Sequence, residues 1–195
     1  MADVVIDYFN SGAFKSFPGA EDTYGGTFPG TFLWDFPLAV PRSHATDGNA
    51  NTFLSLATGS HIVLGFSGGH LIDGPGDDLL INEIGASGEV ADVFVSDDAG
   101  LTFTFLGEAL GGRISGFDLG SIGFAGKVNA VKIVGRDALG GAPGFDLAYV
   151  EGLNFARSLP PDRDIRAIPV PPTLPLLGAG FLVFGLLGAS RRRRP

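Results

Sequence analysis

Eighteen residues without a charge, Thr173 to Ser190, run into four arginines, Arg191 to Arg194, before the chain closes on Pro195. A soluble core has little use for such a segment, so it divides the chain into a body and a membrane-directed tail. As a helix it would reach roughly 27 Å at about 1.5 Å per residue, just short of the ~30 Å hydrocarbon core of a bilayer. Thr173 suits the N-cap, and Pro175 falls in the first turn, where its missing N–H breaks no hydrogen bond. Gly178, Gly180, Gly185 and Gly188 weaken a helix in water and are better tolerated in lipid. A buried helix of a soluble core is the alternative, but such a helix seldom ends against four like charges. Positive charge is retained on the cytoplasmic side, so the residues before the tail are expected outside the cytoplasm.

The body is acidic. The chain carries thirteen Lys and Arg, four of them in that terminal block, against twenty-one Asp and Glu. Such a surface repels nucleic acid and anionic lipid and attracts divalent cations. Cysteine is absent, so stability has to come from a core rather than from disulfides. Thirty-one glycines and seventeen phenylalanines beside a single methionine predict short strands joined by tight turns. The chain opens on Met1-Ala2-Asp3-Val4-Val5, with neither a basic region nor an apolar one ahead of the first strand-like run. Ala2-Asp3 reads as a mature N-terminus, and an export signal is expected to precede this start.

Eight β-branched or aromatic runs bounded by Gly or Asp predict strands. They are Val4 to Phe9, Thr52 to Ala57, His61 to Phe66, Leu79 to Ile84, Val90 to Ser96, Leu101 to Gly107, Val128 to Val134 and Asp146 to Val150. Asn10 to Asn51 has no period and reads as a long loop region with aromatic rings tucked into the body. Alternation in Val90 to Ser96 is only partial, as for a strand covered on both faces. Residues 1–153 are therefore expected to form one all-β sandwich domain. Residues 154–167, with Pro160-Pro161-Asp162-Arg163-Asp164, read as an extended linker, and 168–195 as the tail with its transmembrane helix at 173–190.

The tail, from Ile168-Pro169-Val170-Pro171-Pro172 through the apolar run to the arginines, resembles the C-terminal sorting signals of the PEP-CTERM class, above all the VPLPA variant. Ile168 stands where that motif usually has valine, and Pro172 where it has alanine. The resemblance implies recognition of the Ile168, Pro169, Val170, Pro171, Pro172 collar by an exosortase, an integral-membrane cysteine protease or transpeptidase. The hosts are Gram-negative bacteria that make exopolysaccharide. Arg191, Arg192, Arg193 and Arg194 would hold the precursor in the inner membrane until it is processed and passed to the cell surface or the extracellular matrix.

Within the body, Ile62-Val63-Leu64-Gly65-Phe66, Asp73-Gly74-Pro75-Gly76-Asp77-Asp78, Glu83, Val95-Ser96-Asp97-Asp98 and Gly144-Phe145-Asp146-Leu147 occur in an order similar to that of exported PEP-CTERM proteins with a galactose-binding-like β-sandwich. The Val-Ser-Asp-Asp turn followed by Thr102-Phe103 is similar to a hairpin of discoidin-like modules. That resemblance implies a jelly roll, a fold that hosts glycan binders, lipid binders and structural modules alike.

Asp73, Asp77, Asp78 and Glu83 are the strongest chemical constellation. Four carboxylates within eleven positions, threaded on Gly74, Pro75 and Gly76, offer the oxygen ligands that calcium takes, and Asp146 could join them from a neighbouring strand. The spacing matches neither an EF-hand, whose twelfth position from Asp73 would be Ile84, nor a glycine-rich calcium repeat. The bland reading is that Asp73 and Asp77 make turns and Glu83 faces solvent. Ser67 in Gly65-Phe66-Ser67-Gly68-Gly69 has the letters of a nucleophile elbow, but no helix is expected after it. His44, His61 and His70 lack the spacing of a zinc site.

These readings converge on a non-enzymatic surface or matrix protein with a structural or glycan-binding role, in which calcium is the one cofactor the residues suggest. Exosortase, the inner membrane and exopolysaccharide are the expected partners, and nucleic acid is not one. Two alternatives stay open: a secreted hydrolase of polysaccharide with Asp78 and Glu83 as its acid pair, or a surface protein simply anchored by the tail.

Overall fold

The structure, a computed structural model, describes residues 1–13, 23–28, 38–85, 87–137 and 144–157. The chain divides into two units, Met1–Ser158 and Leu159–Pro195. The second, with the Ile168 to Pro172 collar, the 173–190 segment and the arginines, lies outside the described residues. Among the described residues no helix is long and apolar enough to cross a membrane.

The body is an all-β sandwich. Its strands are β1 (Val4–Phe9), β2 (Tyr24–Thr27), β3 (Leu38–Ala39), β4 (Thr52–Leu56), β5 (His61–Gly65), β6 (Gly69–Leu71) and β7 (Leu79–Glu83). They continue with β8 (Val90–Ser96), β9 (Thr104–Leu110), β10 (Ile114–Phe117), β11 (Ala130–Gly135), β12 (Phe145–Gly152) and β13 (Phe155–Arg157). One sheet has the order β1-β5-β11-β8-β9 and the other β10-β7-β12-β4-β2-β3, while β13 pairs with β6 as a small third sheet. Every one of these strand pairs is antiparallel. Most neighbours are distant in sequence, so the chain crosses repeatedly between the two sheets.

The core lies between the sheets. Ile62, Leu64, Val131, Ile133, Val93 and Val95 from one meet Leu54, Leu56, Leu79, Ile81, Leu147 and Val150 from the other. Strand β8 shows why: Ala91, Val93 and Val95 are buried while Val90, Asp92 and Phe94 are half-buried, the period-two pattern of one core face. The partial alternation in its sequence arises because Phe94 is covered edge-on by Phe105 from β9, at 5.4 Å between ring centroids. Each buried aliphatic side chain of this set is worth about 1.5–3 kcal/mol against exposure.

Three expectations need correction. The stretch from Asn10 to Asn51 is not loop throughout, since β2, β3 and a 3-10 turn at Arg42–Ala45 fall inside it. Tyr24-Gly25-Gly26-Thr27 carries two glycines and little strand propensity, yet a Cβ at Gly25 would overlap the Phe53 carbonyl oxygen, so only glycine lets β2 close on β4. The strand expected at Leu101 begins instead at Thr104. Asp98 holds the turn open that far, accepting from the backbone N–H groups of Leu101 (3.1 Å) and Thr102 (2.9 Å) and from the Thr102 hydroxyl (2.7 Å). Finally, residues 154–157, read as the start of the linker, belong to the body: β13 pairs with β6, and Asn154 Nδ2 donates to Asp78 at 2.7 Å.

Candidate functional site

The acidic constellation does not gather into one site. Asp78 immediately precedes β7 and Glu83 ends it, and five residues of extended chain separate their backbones by about 17 Å. Asp78 joins Asp73 and Asp118 in one group; Glu83 joins Asp146 and Glu89 in another. Asp77 is in neither group and lies against Gly116 of β10.

Asp78 is fully buried and spoken for. Oδ1 accepts from Gly74 N (2.9 Å) and Asn154 Nδ2 (2.7 Å), and Oδ2 accepts from Leu119 N (2.8 Å). The carboxylate thus ties the glycine-rich turn to β13's approach and to the 3-10 turn Leu119–Ile122, whose N-cap is Asp118 accepting from Gly120 N at 2.8 Å. Asp73 is exposed.

The second group stands at the far end of β7. Glu83, Glu89 and Asp146 are all buried, with one oxygen from each within 4.8 Å of the others. Glu83 Oε1 accepts from Gly85 N (2.7 Å) and Asp146 N (3.3 Å), and Oε2 accepts from Gly112 N. Asp146 Oδ1 accepts from the Ser55 hydroxyl across the β12–β4 pair. Glu89 Oε2 is buried with no hydrogen-bond partner among the described residues, and a buried acceptor left so costs about 1–3 kcal/mol. None of the ion pairs among the described residues involves these carboxylates. Burial, then contact with Glu83 and the charges of Asp146 and Asp137, pushes the Glu89 carboxyl up to about 10. Burial also lifts Asp146 well above the carboxylate range, against the bond from Ser55. Both shifts favour the protonated over the ionised form while no cation is bound. Neither Glu89 nor Asp118 stood out in the sequence, because Glu89 reads as a strand boundary and Asp118 is remote from the Asp73 turn.

A second feature is the outer face of the five-stranded sheet. Register places Phe9, His61, Val134, Asp92 and Glu108 side by side on consecutive strands, and Val63, Lys132, Phe94 and Phe105 in the adjacent row. Phe9 and Phe105 are each about half exposed, at 52% and 49%. The Phe9 ring lies 5.5 Å from that of His61, and the Lys132 ammonium sits 5.4 Å from the Phe103 ring. Arg136 bridges Asp92 (3.3 Å) and Glu108. Burial, then the Lys132 charge, lower the His61 pKa against the pull of Asp7, so the imidazole is neutral at neutral pH and can both donate and accept. The face therefore alternates flat apolar rings with hydrogen-bonding groups.

Ser67 is not presented for catalysis. It lies in the turn between β5 and β6, its N–H donates to Asp3 Oδ1 at 2.8 Å and its hydroxyl donates to Asp3 Oδ2. A strand follows it where the nucleophile elbow needs a helix. Asp3, Ser67, Phe66, Phe155 and Arg157 line an open cleft of about 600 Å³ beside it. His61 starts β5, and the three histidines enter neither acidic group.

No protein family profile matches the chain, and no curated protein sequence matches it. Seven chains of solved structures do. One is a CBM32 module of AlyQ in complex with 4,5-unsaturated mannuronic acid, 10% identical, covering 78% of this chain and 98% of that one at a TM-score of 0.45. Another is a family 89 glycoside hydrolase from Clostridium perfringens in complex with PUGNAc, 15% identical, covering 72% of this chain but only 15% of that one at 0.43. Likenesses of this degree assign no ligand and no residue role.

Proposed function

We propose that the chain is a non-catalytic glycan-binding module of jelly-roll winding, displayed at the cell surface or in the exopolysaccharide matrix by its C-terminal signal. The observation that carries the binding reading is the outer face of the five-stranded sheet. Sugar rings pair an apolar C–H face with hydroxyls at their edge, and this surface offers half-exposed Phe9 and Phe105 beside His61, Lys132, Asp92 and Glu108. Stacking would supply contact area, and the charged and imidazole groups would fix the hydroxyls.

The hydrolase reading loses its named pair. A glycosidase sets its two carboxyls about 5–9.5 Å apart across the scissile bond, whereas Asp78 and Glu83 sit at opposite ends of β7, buried and each bonded to backbone N–H groups. Display at the surface rests on the order of collar, apolar run and arginines in the sequence. An exosortase acting from within the membrane would cut near Ile168 to Pro172 and release the body from its inner-membrane precursor.

A glycan array probed with the full chain in detergent, run beside a reducing-sugar release assay, tests the reading. Binding to at least one polysaccharide without sugar release is expected. Phe9→Ala and Phe105→Ala should each weaken it about tenfold, near 1.4 kcal/mol. Binding untouched by both substitutions, or release of reducing sugar, would refute it.

A further inference from the structure

Three strand ends bring their carboxylates to one point. Glu83 closes β7, Asp146 is the second residue of β12, and Glu89 immediately precedes β8. At 2%, 2% and 6% exposure for Glu83, Glu89 and Asp146, they are far more buried than unpaired acids normally are. The group is also incomplete, because Glu89 Oε2 has no hydrogen-bond partner among the described residues. That oxygen is aimed at Gly85. A Cβ placed there would collide with Glu83 Oε1 and stand 2.5 Å from Glu89 Oε2 and 3.1 Å from Asp146 Oδ2. Three oxygens from three residues thus converge on a space kept open by the missing side chain at position 85.

We propose that Glu83, Glu89 and Asp146 hold one calcium ion in the space beside Gly85. The donors are all carboxylate oxygens, with no imidazole or thiolate among them, so the site suits a hard cation rather than zinc. Calcium accepts irregular shells of oxygens at about 2.3–2.6 Å, whereas magnesium demands near-octahedral order at about 2.0–2.1 Å. The supports for such a shell are built. Gly85 N, Gly112 N and Asp146 N orient Glu83, and the Ser55 hydroxyl orients Asp146, as groups behind metal ligands do. A divalent ion would remove the mutual repulsion of the three acids and fill the open lone pairs of Glu89. The site shares no residue with the outer sheet face, so its test is read separately from glycan binding. It also differs from the Asp73 to Asp78 turn, where the buried carboxylate already has its three donors.

Isothermal titration calorimetry decides the matter, using the full chain in detergent after chelator treatment, with calcium chloride as titrant and magnesium chloride in a second arm. One calcium per chain is expected, bound at least about tenfold more tightly than magnesium, with a rise in Tm on calcium addition. Glu89→Gln should weaken binding by about a hundredfold, and Gly85→Ala should weaken it too. Glu89→Gln is nearly isosteric with a buried acid that already favours its neutral form, so the calcium-free variant should melt no lower than the parent; lost binding is then not lost folding. Asp73→Asn should leave calcium affinity unchanged. No heat and no Tm shift up to about 10 mM calcium, tighter binding of magnesium, or loss in Asp73→Asn with retention in Glu89→Gln would each overturn the proposal.

Discussion

Replacing Asp78 by alanine is the sharpest test of which acids are architectural. The side chain is fully buried and takes three donors: Leu119 N, Gly74 N and Asn154 Nδ2. Hydrogen bonds to a charged group contribute about 1.5–3 kcal/mol, and a stranded buried donor costs about 1–3 kcal/mol. Leu119 is itself fully buried, so its N–H counts near the top of that range. Gly74 is half-buried and Asn154 likewise, so water can reach their donors and both count near the bottom. The sum is a loss of about 4 kcal/mol, or a Tm lower by about 8–16 °C for a domain of this size. Asp78→Asn keeps the volume but turns an amide N–H₂ toward donors, so it should recover little. Urea unfolding followed by circular dichroism, without added calcium, measures both. If Asp78 were instead a ligand or a catalytic acid, removing it would relieve repulsion from Asp73 and Asp118 and leave the fold as stable or more so. A loss below about 1 kcal/mol would refute the structural assignment.

The other predictions are independent of that one. Thr102 N–H, the Thr102 hydroxyl and the Ser96 hydroxyl hold the Asp98 carboxyl down at about 2; a folded value below the unfolded one stabilises above the ordinary carboxylate range and is lost as pH falls from about 4 through about 2. An NMR titration should show that low value, and Thr102→Val with Ser96→Ala should return it toward 3.8, an unchanged value being the contrary result. Gly25→Ala should cost about 1–3 kcal/mol by forcing β2 off the Phe53 carbonyl, read as faster amide exchange in β2 and β4 with β8 unaffected. In a host with a matching exosortase, an exported form of the chain should lose roughly the last 25 residues and serine at positions 191–194 should slow this; mass spectrometry finding an intact end at Pro195 would contradict processing.

What the sequence made legible follows from how local each signal is. Val4–Phe9 and Val90–Ser96 appear with the bounds expected of them, because β-branched runs carry their own pattern, which burial follows in Val90–Ser96. The short strands Tyr24–Thr27, Gly69–Leu71, Ile114–Phe117 and Phe155–Arg157 have three or four residues each, several of them glycine. Their pairing comes from partners remote in the chain, so a local pattern has nothing to show. The hairpin strand starts at Thr104 rather than Leu101 for a different reason: one side chain, Asp98, uses four hydrogen bonds to Ser96, Leu101 and Thr102 to keep turn geometry where the residue types favour strand.

The acids show the same limit at the level of chemistry. Nearness in sequence suggested that Asp73, Asp77, Asp78 and Glu83 act together, but an extended strand moves consecutive residues about 3.3 Å apart and so spends five residues carrying Glu83 away from Asp78. The same geometry delivers Glu83 to Glu89 and Asp146, from two other strand ends, and Glu89 and Asp146 are six and sixty-three residues away in sequence. In a sandwich, then, the residues that share a site are those at one end of neighbouring strands. A turn rich in Asp and Gly marks where the chain reverses, as at Asp78, whereas single acids flanking strands, as at Glu83, Glu89 and Asp146, mark where charges converge. That distinction predicts separate consequences for the two groups: loss of Asp78 destabilises the fold, and loss of Glu89 removes a ligand site while leaving the fold's stability intact.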